Sequence, residues 1–218
     1  MRLIHFVFLI LPLAGMAQAD TLGLPPFSIK IMPLNLINPV QQSLDVLADM
    51  PIAPRWAIEL GLGAIVGSGF YANYIKESYL GLKIMPALKY YLSRSAGSDI
   101  YLSLDLKCNI IQNKRFGNVL RQGGQYSEWM LLRKDMRVLG IGLRFGTQEY
   151  FGRQKRWVIE PFCGLGLRQI QVDTYQLPPD GALLVEGGLF TFDRQPGIFN
   201  TPDLRLGFHL GRRFTRRR

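Results

Sequence analysis

Trp56-Ala-Ile-Glu-Leu-Gly-Leu-Gly-Ala-Ile-Val66 decides the fold. Its even positions, Trp56, Ile58, Leu60, Leu62, Ala64 and Val66, are apolar, whereas the odd positions Ala57, Glu59, Gly61 and Gly63 are small or charged up to the apolar Ile65. A repeat of two puts the first set on one face of a β-strand; a helix would need apolar residues three and four apart. Eleven residues is also the length that a tilted strand needs to cross a bilayer. Gly61-x-Gly63-x-x-x-Gly67 resembles a nucleotide-binding turn only in spacing, because no helical pattern follows it.

The same alternation recurs along the chain. Leu80, Leu82, Ile84, Leu88, Tyr90 and Leu92 alternate with Gly81, Lys83, Met85, Ala87, Lys89 and Tyr91. Further strands carry Ile100 to Ile110, Leu139 to Phe145, Trp157 to Leu167 and Leu204 to Phe214 on their apolar parity. Shorter signals surround Lys30, between Ile29 and Ile31, and Asp45, between Leu44 and Val46. Eight strands result, an even number as a bacterial barrel requires. The segment from Leu183 to Phe192, split by Gly187-Gly188, is too short to span and reads as a strand extension within a loop.

The connections alternate in length. Asp49 to Arg55, Ser93 to Ser98 and Gln148 to Lys155 are short; Gly67 to Ser78, Ile111 to Glu128 and Gln171 to Pro202 are long. This predicts an all-β, eight-stranded antiparallel transmembrane β-barrel over residues 20–214, with short periplasmic turns and long extracellular loops. With strands running alternately up and down, Phe27, Trp56, Tyr90, Phe145, Trp157 and Phe214 all fall at periplasmic ends and on the outward parity, as an interfacial aromatic girdle requires. Phe70 and Tyr71 are the candidates for the opposite girdle. A soluble barrel with its apolar face inward would carry an outer face rich in Lys, Glu and Thr; here that parity is rich in glycine with single charges, which suits a narrow interior. Pro86 and Pro161 lack a ladder donor and are expected at bulges.

The N-terminus explains how such a chain reaches its membrane. Arg2, an apolar run from Leu3 to Leu13 and Ala17-Gln-Ala19 form a secretory signal peptide over residues 1–19, with cleavage before Asp20. No stretch approaches 18 consecutive apolar residues, so a helical inner-membrane protein is excluded. The full chain carries a formal charge of +10, and Arg2 leaves with the signal. Arg212, Arg213, Arg216, Arg217 and Arg218 supply much of the excess, the last three in a basic tail over residues 215–218. Export argues against a nucleic-acid partner, and anionic lipid headgroups account for the charge. Cys108 and Cys163 fall on the apolar parity of separate strands and read as small hydrophobes.

Ile29-Lys-Ile-Met-Pro-Leu-Asn-Leu-Ile37, Arg55-Trp-Ala-Ile-Glu-Leu60, Leu88-Lys-Tyr-Tyr-Leu92 and Gly207-Phe-His-Leu-Gly-Arg-Arg-Phe214 together resemble a family of small Gram-negative outer-membrane β-barrels of unassigned function. The resemblance runs over nearly all of the mature chain and brings no catalytic residues. It implies that Phe214 marks the last strand for the outer-membrane assembly machinery, although Thr215-Arg-Arg-Arg218 follows it here.

Inward parity collects Glu59, Asp105 and Glu160 with Lys83, Lys107, Arg144, Arg168, Arg205 and His209. In so narrow an interior these are expected to form ion pairs that fill the lumen, since buried charges must be compensated. His209 is the single histidine left after signal removal, so a multi-histidine metal site is excluded and no cofactor is expected. A lipid-acting hydrolase would need His209 as its base, with Ser103 as the one serine singled out on its parity. Lys114, Arg115, Arg121, Tyr126 and Trp129 give the longest central loop a basic and aromatic character suited to lipopolysaccharide phosphates or a surface protein partner. The expected role is structural or one of surface interaction, ahead of a narrow channel and a lipid hydrolase.

Overall fold

Alternation at a repeat of two becomes strand in every described stretch that carries it. The computed structural model describes residues 27–37, 42–66, 78–95, 97–173, 178–183 and 197–214. The signal segment 1–19, Phe70 and Tyr71, residues 184–192 of the expected strand extension, and the tail 215–218 lie outside the described residues. Among the described residues nine strands form: β1 (Phe27–Ile31), β2 (Ser43–Ala53), β3 (Trp56–Val66), β4 (Ser78–Arg94), β5 (Ser98–Arg121), β6 (Tyr126–Phe151), β7 (Trp157–Val172), β8 (Ala182–Leu183) and β9 (Gly197–Phe214). They make one antiparallel sheet in the order β4-β3-β2-β1-β9-β7-β6-β5, and β4 is in turn bonded to β5. Hydrogen bonding therefore runs round a closed ring of eight strands. The ninth strand, β8, is two residues laid against Val119 and Leu120 of β5.

The ring is strongly staggered. Partners followed sideways from Trp56 are Tyr90, Leu102, Phe145, Cys163 and Leu206. Extending the registers through β1 and β2 returns the path to β3 at Val66, ten residues beyond the start. At the usual rise and spacing of strands, that stagger over eight strands tilts them by roughly 40°.

Side chains sort by parity as strand geometry dictates. In β3 Ala57, Glu59, Gly61, Gly63 and Ile65 are buried inside the ring, while Ile58, Leu60, Leu62 and Val66 are exposed on its outside. Both cysteines are free: Cys163 is exposed and Cys108 half-buried.

Three expectations are corrected. The stretch from Ile111 to Glu128 is not a loop, because β5 and β6 stay paired in unbroken register from Ser98↔Glu149 to Arg121↔Tyr126. Beyond Ile110 the outward positions Gln112 and Lys114 are polar while the buried inward ones mix Ile111 and Val119 with Asn113, so polarity no longer alternates although the backbone still pairs. Pro86 and Pro161 do not sit at bulges. The β4–β5 ladder omits Met85 and Pro86 and resumes in the same register, and β6–β7 passes Pro161 likewise. A proline removes one N–H, which points at one neighbour, so the other ladder runs on through Leu60↔Pro86 and Pro161↔Phe208. The register shifts lie instead next to turns, between Pro51 and Ala53 and between Tyr91 and Ser93.

Tilt also decides the aromatic level. Phe27, Trp56, Tyr90, Trp157 and Phe214 lie near one level of the ring, with Phe27 against Phe214 at 5.8 Å and Trp56 against Tyr90 at 4.8 Å between ring centroids. Phe145 shares a lateral row with Tyr90, but the tilt lifts it about four residues above that level. Phe151, which pairs with Trp157, stands at the girdle level on β6 instead.

Closure of the ring depends on the short seam between β1 and β9. Gly211 lies there opposite Lys30, and a Cβ on it would run into the Ile29 carbonyl and the Lys30 stem. Gly211→Ala is expected to lower the stability of the folded form by about 1–3 kcal/mol. Gly97→Ala, where the nearest atom is the Lys155 Nζ at 3.9 Å, serves as the control. Urea titration of both variants checks this; equal midpoints would contradict the seam's role.

Candidate functional site

The interior is built in layers by inward residues of successive strands. At the end bearing the short turns, Tyr91 and Tyr101 face each other across the β4–β5 pair with Ala57 beside them. Their ring centroids are 6.3 Å apart in an edge-on arrangement.

Above this floor stands a network of charges. Lys30 Nζ lies 2.7 Å from Asp49, 2.6 Å from Glu59 and 2.7 Å from Glu160, with all four side chains almost fully buried. Lys89 Nζ approaches Glu59 at 2.7 Å and Glu160 at 2.8 Å. Arg144 Nη2 donates to Glu59 at 2.6 Å and to Asp105 at 3.0 Å. Arg205 Nη1 donates to Asp105 at 3.0 Å and its Nε to Asp203 at 2.9 Å. Neutral donors complete the set: Tyr101 Oη donates to Glu160 at 2.7 Å, and Gln148 Nε2 to Glu160 at 2.6 Å and Asp49 at 3.0 Å. Asp49, Glu59, Asp105 and Glu160 are thereby each bonded to several strands at once, which compensates a buried charge in a low dielectric.

The sequence list of interior charges and this network overlap in part. Glu59, Asp105, Arg144, Glu160, Arg205 and His209 are joined in it, and Lys83 pairs separately with Asp45 at 3.2 Å and Ser43 at 2.5 Å. Lys107 and Arg168 share the interior but have no carboxylate within 4.0 Å among the described residues. Lys30, Lys89 and Asp49, the centre of the network, were not singled out from sequence. Their inward parity was the available signal: Lys30 shares the parity of Ser28 on the short β1, and Asp49 that of Asp45, but the expected turn from Asp49 to Arg55 removed Asp49 from a strand that runs to Ala53.

Two chemical readings can be measured against this geometry. His209 Nδ1 is 3.0 Å from Glu160, and Phe162 packs on its ring at 4.7 Å between centroids. Ser103 Oγ donates to Asp105 at 2.8 Å and accepts from Arg144 Nε at 3.2 Å. Ser103 and His209 are thus bonded to different carboxylates rather than to each other. Ligand atoms of Glu59, Glu160 and His209 lie within 4.8 Å of one another, a spacing that a metal ion could bridge. Both carboxylates, however, already face the ammonium groups of Lys30 and Lys89. The donor set therefore fits ammonium.

At the far end the inward residues turn apolar. Ile65, Ile111, Met136, Val138, Ile170 and Val172 form a buried cluster with Phe199 against it. Beyond it the β5–β6 extension carries Phe116 stacked on Trp129, 6.3 Å apart and within 11° of parallel. Lys114 is exposed in register with Arg133, Tyr126 is exposed at the tip, and Arg121 lies 3.3 Å from Asp180. The side chain of Arg115 lies outside the described residues.

No family model matches the chain, and no curated protein matches its sequence. Among solved structures it is similar to a major outer membrane protein from Thermus thermophilus, at 12% identity over 87% of this chain and 98% of that one, with a TM-score of 0.41. These comparisons do not show the family expected from the quoted segments.

Lys30→Met would leave three carboxylates facing an apolar side chain. Loss of one partner from such a buried set is expected to cost about 3–5 kcal/mol. Equilibrium unfolding in urea measures it; a loss below about 1 kcal/mol, the scale of an exposed pair, would contradict the network's structural role.

Proposed function

We propose that this chain is an exported outer-membrane β-barrel with a filled lumen, serving a structural or surface-interaction role through its outer hairpin. One observation carries the reading: the outside of the ring is apolar and the inside is charged. Leu165 is 70% exposed, Leu82 66% and Leu206 65%, whereas Lys30, Glu160 and His209 are at 1% or less. A ring standing in water would have the opposite sorting, because each exposed leucine forgoes about 1.5–3 kcal/mol of burial.

The apolar surface is also bounded. Among the described residues, the charged side chains on the outside of the eight-strand ring gather at its two ends, Glu149 and Arg212 beside the aromatic girdle and Arg137 at the far rim. Gln112, Gln169 and Asn200 stand near the level of Arg137. Corrected for tilt, the belt between is roughly 25–30 Å tall, the height of a bilayer's hydrocarbon core. Aromatic rings at one edge suit headgroup level.

Above the belt, Lys114, Arg133 and Arg137 stand on the outward face of the hairpin, where lipopolysaccharide phosphates would lie. The stacked Phe116 and Trp129 stiffen that hairpin, which supports its display toward a partner protein. Phe214, paired with Phe27 at the end of β9, is the feature offered to the assembly machinery. The charge network supports a closed lumen over a channel, and no current steps above background are expected in planar bilayers. Frequent openings there would favour the channel.

Leu143→Arg, at mid-belt, is expected to cost about 2–4 kcal/mol of stability in lipid, and Gln169→Arg at the rim about 0–1 kcal/mol. Heat-modifiable migration of the protein from a purified outer-membrane fraction, with unfolding titrations of both variants in vesicles, checks the placement. A soluble protein with equal tolerance at the two positions would refute it.

A further inference from the structure

The outer half of the ring's interior holds cations that the network below does not satisfy. Lys107 makes no hydrogen bond or ion pair among the described residues, and its charged neighbours are Asp203 and three cations, Lys83, Arg205 and Arg168. Arg168 uses its Nε alone, donating to Thr201 Oγ1 at 2.8 Å. Arg205 spends Nε on Asp203 and Nη1 on Asp105, which leaves its Nη2 buried without a partner. Lys83 is already engaged by Asp45 and Ser43.

These groups border a cavity of about 420 Å³, a volume in the range of ligand sites. The apolar cluster around Ile111 and Val138 stands above its level. One flank differs from the rest of the wall. β1 ends at Ile31, so among the described residues β9 from Gly197 to His209 is laddered to β7 alone. A 3₁₀ turn over Pro33–Leu36 stands at that edge, and its Asn35 lines the cavity together with Met32, Leu204 and Leu206.

Inside the ring, two half-buried cations with no carboxylate within 4.0 Å among the described residues are costly, and so is the buried, unbonded guanidinium nitrogen. An anion with several oxygens removes that cost, because arginine and lysine donors converge on it with charge-assisted hydrogen bonds. We propose that this cavity is an anion-binding site, which holds a phosphate or carboxylate group between Lys107, Arg168 and Nη2 of Arg205. The headgroup of an anionic amphiphile, entering beside the turn with its chain along Leu204 and Leu206, and a free anion present the same oxygens. The site lies inside the ring, goes beyond the structural role above, and its failure leaves the membrane placement untouched.

Calorimetry on the purified full chain in nonionic detergent tests it with inorganic phosphate, with short-chain phosphatidic acid and with phosphatidylcholine of equal chain length. Saturable binding of phosphatidic acid but not phosphatidylcholine is expected. Binding of phosphate as well assigns the site to the anion itself, and its absence assigns it to the headgroup. The double variant Lys107→Gln with Arg168→Gln should weaken binding at least tenfold. Asp203→Asn, which removes a competing carboxylate from Arg205, should tighten it several-fold, a gain that a misfolded variant cannot produce. No saturable binding of phosphate or phosphatidic acid, or affinities unmoved by these substitutions, overturns the proposal.

Discussion

Lys30 holds one ammonium against Asp49, Glu59 and Glu160, carboxylates of β2, β3 and β7. It comes from β1, the shortest strand of the ring, whose five residues supply the seam with β9. Closure and charge compensation are therefore one event. Without β1 in place the ring is open and the carboxylates lack their shared cation. Without those carboxylates, a buried lysine would stand on the seam uncompensated, at a cost of several kcal/mol. Lys89 and Arg144 extend the same logic to β4 and β6, so that the interior ties together strands far apart in sequence.

The stagger of the ring governs what the outside presents. Tilted strands carry a lateral row of partners uphill, so residues that match in register do not match in level. This is why Trp157 and Trp56 share a girdle although six residues separate Trp157 from Cys163, which is the member of the Trp56 row on β7. It is also why Arg137, Gln169 and Asn200 draw one rim above a continuous belt of leucine, isoleucine and valine. That surface is the one on which the proposed placement in a bilayer rests.

Inside, the layers differ in how completely their polar groups are met. The tyrosine floor and the network around Lys30 bond nearly every charge they contain. The level of Lys107, Arg168 and Arg205 does not, and it lies where the wall beside β9 has no strand ladder among the described residues. Rigidity thus belongs to the lower interior, and the capacity to take up a ligand belongs to the upper. The apolar residues beyond separate that level from the outer hairpin.

Periodicity of two was legible in the sequence because one face of each strand turns small and charged residues inward and the other turns apolar residues outward. It located all eight strands of the ring, the girdle positions other than Phe151, and most interior charges by parity alone. The alternation stops where that contrast ends, and so Ile111 to Arg121 read as a loop although its backbone pairs to the hairpin tip. Parity also says which face a side chain takes, but not its level or its neighbours. Register, stagger and tilt brought Lys30 among three carboxylates, lifted Phe145 off the girdle, and left Lys107 with no carboxylate within 4.0 Å among the described residues. Those outcomes depend on contacts between residues far apart in sequence, 130 positions from Lys30 to Glu160 and more across the seam from Phe27 to Phe214, and tertiary structure alone sets such distances.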